Sequence, residues 1–181
     1  MTYYGAQQLQ ASFETVRKNT LAIAEEIPAD KYGFRASADT KSVAEMLAHV
    51  AVAPMWQIEA HSESIAMIDF AYFGARVAAG AAAEQALTTK DEIVKALKEN
   101  GDLMAKFLGG LTEAKLQEIV SFPPPIQPDK KTRFEMILGI KEHEMHHRAQ
   151  LMLIQRMIGI VPHLTRAREA FRAQVTAGAG R

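Results

Sequence analysis

The chain has 181 residues, with 21 lysines and arginines against 21 aspartates and glutamates and no cysteine. That length suits one domain with a sizeable core, and a formal charge of zero lacks the electrostatic footprint of a phosphate-backbone binder. Without cysteine, disulfides, thiolate zinc sites and cysteine nucleophiles are excluded, and histidine and carboxylate are left as the strong metal ligands.

Leu9, Phe13, Val16, Ile23 and Ile27 recur at helical steps, so the sequence predicts a first amphipathic helix that Pro28 ends. The start MTYYGAQQLQASFETV lacks the basic opening and continuous apolar run of a signal peptide. No segment approaches the ~18 unbroken apolar residues of a membrane span, so a cytoplasmic protein without membrane or nucleic-acid partners is expected. The polar, turn-rich ADKYGFRASADTK follows, and then Ser42 stands three residues before Glu45, the spacing of a capping box. A second helix is predicted from about Ser42 to about Phe70, with a bend just after His49 caused by Pro54.

GARVAAGAAAEQ is small and punctuated by glycine, which predicts a connection. Thr89 and Glu92 form a second capping box ahead of Ile93, Leu97, Leu103, Met104, Phe107, Leu108 and Leu111, the apolar face of a third helix that tolerates Gly101. SFPPPIQPDKK is too rich in proline for regular helix and predicts a stiff connection into a fourth helix, about Thr132 to Ile158. The tail GIVPHLTRAREAFRAQVTAGAGR predicts one short helix and a frayed end. No repeat and no strand-like alternation of useful length is present, so the pattern is that of an all-α helical bundle with four long helices.

KEHEMHHRAQL, Lys141 to Leu151, holds three of the six histidines. His143 and His147 lie about 40° apart on one face of the fourth helix, on a stripe with Met136, Ile140, Leu151, Ile154 and Ile158. Buried imidazoles need partners, and a pair at this spacing taken alone reads first as a hydrogen-bonded core pair and only second as a metal site. His49 adds a third inward imidazole, on the second helix with Ser42, Met46, Ala53, Trp56 and Ala60. Three imidazoles from two helices can converge on one zinc, nickel, copper or iron ion and leave a coordination position open.

The other polar residues have simpler readings. His146 lies about 60° from His143, at the edge of the stripe, and is expected to flank the site or serve an interface. His61 and His163 are expected at the surface, and the capping box accounts for Glu45, although a partner role toward His49 also fits. Gln150, one turn beyond His147, is expected to line a pocket, orient water or bond to a neighbouring helix. Trp56 reads as core packing or a pocket wall. Met136, Met145, Met152 and Met157 give the fourth helix a soft, adaptable surface.

SVAEMLAHV, Ser42 to Val50 and containing His49, and EHEMHHRAQLMLIQRMIGIVPH, containing His143 and His147, resemble the DinB-like (DinB/YfiT) superfamily over roughly Tyr3 to Pro162. Ala149 departs from the family string, which commonly has glycine there; the exchange is small for small. The resemblance implies a four-helix bundle over 1–162 with 163–181 as an extension, and His49, His143 and His147 as ligands of a divalent metal, zinc or nickel. It also implies a homodimer, and thiol-dependent transfer with a low-molecular-weight thiol among the activities of relatives. Two functional expectations follow: a metal-dependent enzyme acting on a small molecule, or a non-catalytic helical dimer in which a structural metal or a histidine cluster ties two helices together.

Overall fold

The computed structural model describes residues 4–179. Leu9, Phe13, Val16 and Ile23 are buried along one face of α1 (Ala6–Glu26), which ends two residues before Pro28. A 3-10 turn at Ala29–Lys31 follows, and the hydroxyl of buried Tyr32 donates to the Ala24 carbonyl at 2.7 Å, holding the turn against α1. Ser42 and Glu45 make the reciprocal capping bonds that start α2 (Val43–Val52).

The long second helix predicted to about Phe70 is divided: α2 ends at Val52, residues 53–55 turn, and α3 covers Trp56–Ser62. Pro54 has no N–H to give the Val50 carbonyl, and the Met55 N–H bonds to Val52 at 3.0 Å instead of to Ala51. The two freed carbonyls are taken by side chains: Arg17 Nη2 donates to Val50 at 3.3 Å and Asn100 Nδ2 to Ala51 at 3.0 Å. Because the Ala53 N–H still reaches the His49 carbonyl at 2.8 Å, the break falls one turn beyond His49 rather than just after it.

The segment predicted as a connection is most of α4 (Phe70–Gln85). Asp69 caps it by accepting from the Tyr72 N–H at 2.7 Å, and the helix preference of its alanines outweighs Gly74 and Gly80. Thr89 and Glu92 cap α5 (Lys90–Gly109), which buries Ile93, Leu97, Met104 and Leu108, and Thr112 caps the short α6 (Glu113–Gln117). At the two ends of the proline-rich stretch the chain forms an antiparallel ribbon of β1 (Ile119–Ser121) and β2 (Lys130–Thr132), with Ile119 opposite Thr132. Strands of three residues are too short to announce themselves by alternation. Thr132 and Glu135 cap α7 (Arg133–Met157), matching the predicted fourth helix. The final helix α8 (His163–Ala179) is longer than the short one expected, and the expected frayed end lies outside the described residues.

The fold is predominantly α-helical: α1, α2, α5 and α7 pack into a helical core, α4 lies against α2, and α8 touches α1. No helix among the described residues is long and apolar enough to cross a membrane. One apolar cluster joins Ile23, Val43, Leu47, Leu97, Leu151 and Ile154, and another joins Phe13, Met104, Leu108, Ile137 and Ile140.

Between these clusters lies a buried ion pair that the sequence reading does not single out. Arg17 presents Nε and Nη2 to the Glu144 carboxylate at 3.0 and 2.9 Å, and its Nη1 donates to the Leu97 carbonyl at 2.8 Å. The two side chains are only 5% and 2% exposed. Gly101 makes room for Arg17, since a Cβ there would stand 3.0 Å from the arginine Cγ. Replacing one partner leaves the other charge buried and uncompensated, so Arg17→Met is expected to lower stability by about 3–5 kcal/mol in urea denaturation. The double variant Arg17→Met/Glu144→Leu should recover much of that loss.

Candidate metal centre

α2 and α7 bring His49, His143 and His147 together. Their nearest ring nitrogens all lie within 4.8 Å of one another, with His49 Nε2 3.1 Å and His147 Nε2 3.2 Å from His143 Nε2. The other nitrogens of two rings are already engaged. His49 Nδ1 is 2.8 Å from Glu84 Oε1, and His147 Nδ1 is 2.8 Å from Gln150 Oε1. Since carboxylate and amide oxygens accept here, both Nδ1 atoms carry the proton, and in the neutral form of each ring Nε2 turns a lone pair toward His143.

This arrangement has a chemical consequence. A hydrogen on His143 Nε2 can satisfy one of the two facing lone pairs, whereas a cation satisfies all three nitrogens. A tetrahedral ion with arms of about 2.0–2.1 Å separates its ligand atoms by about 3.3–3.4 Å, close to the spacings present. Burial, and after it the neighbouring His147, His49 and His146, push the His143 pKa down to about 4. Burial also lowers His147, against the bond to Gln150. Both rings are therefore neutral near pH 7, the form that a metal requires.

His49 and His143 face a cavity of about 610 Å³. Its walls are mostly apolar: Val52, Pro54, Met55 and Trp56 from one side, Phe73, Val77 and Ala83 of α4 from another, and Gly139 and Ile140 of α7 beneath. Trp56 meets Phe73 edge to face with ring centres 5.7 Å apart, so it belongs to the pocket wall. Arg76 of α4 pairs with Glu59 of α3 on the same wall.

The remaining candidates are distributed as follows. His146 is exposed and packs edge-on against His147 at 5.0 Å, outside the converging group. Glu45 serves the α2 cap and pairs with Arg35 at 2.5 Å. His163 is not in a surface loop: it opens α8, is half-buried, and its Nε2 lies 3.1 Å from Asn19 Oδ1. His61, expected at the surface, is fully buried, with its ring stacked on Phe107 and Nδ1 accepting from Arg133 Nη1 at 3.0 Å. Met145 and Met157 are exposed on α7. Glu84 is missed by the sequence reading because its segment resembles a connection; the signal was a carboxylate at the end of an alanine-rich run that could continue as helix.

A family description of the DinB superfamily matches residues 12–151. The chain belongs to the DinB superfamily. All three converging histidines fall within the DinB match. A solved crystal structure of a DinB-like protein from Bacillus subtilis is similar over 84% of this chain and 92% of that one, with a TM-score of 0.64 and 20% identity. At that identity the likeness shows a shared DinB-like fold. No curated protein matches the sequence.

His61 and His143 are both held near 4, below the ordinary 6.5, His61 by burial first and then by the charges of Arg133 and Lys115. The unfolded chain therefore binds more protons than the folded one between about pH 6.5 and 4, and stability falls as pH drops through that window. Urea midpoints measured between pH 7 and 4.5 should decrease steadily. In His61→Gln the slope should shrink by up to one proton, and an unchanged slope would mean that His61 takes no part.

Proposed function

We propose that this DinB superfamily member is a divalent-metal-dependent enzyme acting on a small molecule, with His49, His143 and His147 as the protein ligands. The observation that carries the reading is the convergence of three imidazole nitrogens beside an apolar cavity of about 610 Å³ that His49 and His143 line. Among the described residues the group contains no fourth histidine or carboxylate, which fits a site with a position left for an exogenous ligand. When bound, zinc or nickel would supply Lewis acidity, lowering the pKa of a thiol or water held there.

The chain's own residues do the rest. Glu84 and Gln150 fix the ring orientations of His49 and His147, so that two lone pairs are presented beside His143 Nε2. Trp56, Phe73, Val77 and Ile140 surround the substrate's apolar body and exclude water. With no cysteine in the chain, any thiol nucleophile comes from a small-molecule co-substrate, as in the thiol-dependent transfer that the family resemblance implies. In this proposal residues 1–162 form a four-helix bundle with 163–181 as its extension, and the protein works in the cytoplasm as a homodimer. Support for self-association comes from the exposed Leu153, Met157, Phe171 and Val175 on α7 and α8.

The second reading, a non-catalytic dimer with a structural metal or histidine cluster, needs a closed site, and the adjoining cavity weighs against it. Elemental analysis of untagged protein decides the first step. Near-stoichiometric zinc or nickel is expected in the native chain, falling to background in His143→Ala. A native chain that takes up neither metal after incubation with both would overturn the enzyme proposal.

A further inference from the structure

α4 is attached to the molecule in an unusual way. None of its residues is buried, and the cavity, rather than packed side chains, lies between it and Gly139, Ile140 and His143 of α7. Near its N-terminal end it is fastened by the Phe73 contact with Trp56 and the Arg76 pair with Glu59. One residue before its C-terminus, Glu84 reaches His49 Nδ1 at 2.8 Å. Between these points Gly80 borders open space, since a Cβ built there meets nothing within 4 Å. The segments on either side, 63–69 and 86–89, are non-helical, and Ser64 adopts a φ of 57°.

We infer that Glu84 is a positioning residue that couples occupancy of the histidine site to closure of α4 over the cavity. The inference rests on the reading of His49, His143 and His147 as a metal site. Glu84 and His49 are 19% and 24% exposed, so their bond is partly shielded from water. A cation on His49 Nε2 draws electron density from the ring and makes Nδ1–H a stronger donor, which tightens the bond to Glu84. The effect is reciprocal: the carboxylate makes Nε2 a better ligand, and whatever free energy metal gains from Glu84, the closed position of α4 gains from metal. The bond joins α2 to the end of α4 that Phe73 and Arg76 do not hold. Metal loading therefore fastens both ends of the helix and completes the cavity wall.

The test uses the full chain with zinc as the only added ligand. Zinc affinity is measured by competition with a chromophoric chelator, and hydrogen exchange is followed for amides 70–85, with and without saturating zinc. In the native chain zinc is expected to slow exchange in α4. Glu84→Ala should weaken zinc about 10–100-fold and abolish the slowing even at saturation. Alanine at a partly exposed position in this helix keeps the fold, which circular dichroism checks. Glu84→Gln retains an acceptor oxygen and should regain most of both effects, which a merely helix-supporting role for Glu84 does not explain. If Glu84→Ala matches the native chain in affinity, or if its α4 responds to zinc as the native helix does, the coupling is overturned while the metal site stands. A native chain that binds no zinc overturns this inference, and a parallel titration with nickel that also shows no binding overturns the metal reading with it.

Discussion

The arginine at position 17 and the glutamate at position 144 set the frame on which the other elements are arranged. Arg17 rises from α1, grips Glu144 of α7 with two nitrogens, and donates to carbonyls of α2 and α5. One guanidinium thus touches every helix of the packed core. The five donors of arginine in a fixed plane suit this task, because each direction of the fork is met by a different helix. Such a network does little for net stability compared with a well-packed apolar alternative, but it penalises any arrangement in which one partner is missing. Its effect is to specify how the four helices sit against one another.

That specification reaches the histidine site through adjacency. Glu144 follows His143, and successive side chains on a helix diverge by about 100°. When Arg17 draws Glu144 into the core, His143 is turned toward the flank, where α4 stands off and the cavity opens. The break at Pro54 contributes from the other side. It frees the Val50 carbonyl that Arg17 uses, and it lets the chain leave the core at α3 so that Trp56 becomes a wall of the cavity. A proline, a buried ion pair and a cavity are thus joined through α2 and α7, the two helices that carry the three imidazoles.

Much of this was legible in the sequence where periodicity and capping spoke together. α1, α5 and α7 follow from apolar stripes closed by Pro28 or opened by Thr89 and Thr132, and the Ser42 cap places α2. His49, His143 and His147 could be selected because three polar rings on otherwise apolar faces need a common explanation. What escaped the sequence depends on partners far along the chain. Arg17 occupies a core position on the stripe of Phe13, Val16 and Ile23, yet its meaning requires Glu144, 127 residues away. α4 escaped because it buries nothing, so hydrophobic periodicity could not reveal it, and Glu84 was lost with it. His61 escaped because a single histidine gives no sign that Arg133 and Phe107 will enclose it.

The two histidines with matching acidity make the strongest case for judging a site by its neighbours rather than by a titration value. His61 and His143 are both displaced to about 4, and burial is the first cause for each. At His61 the lone pair is already committed to Arg133, the ring lies flat against Phe107, and the remaining nitrogen faces Gln57. Nothing there asks for a further partner. At His143 the nitrogen that faces outward meets two other imidazole nitrogens whose protons are held elsewhere, by Glu84 and Gln150. Neutral protein hydrogens cannot satisfy three such atoms at once, while one cation can. The same shift therefore marks a completed core interaction in one place and an open demand for a ligand in the other.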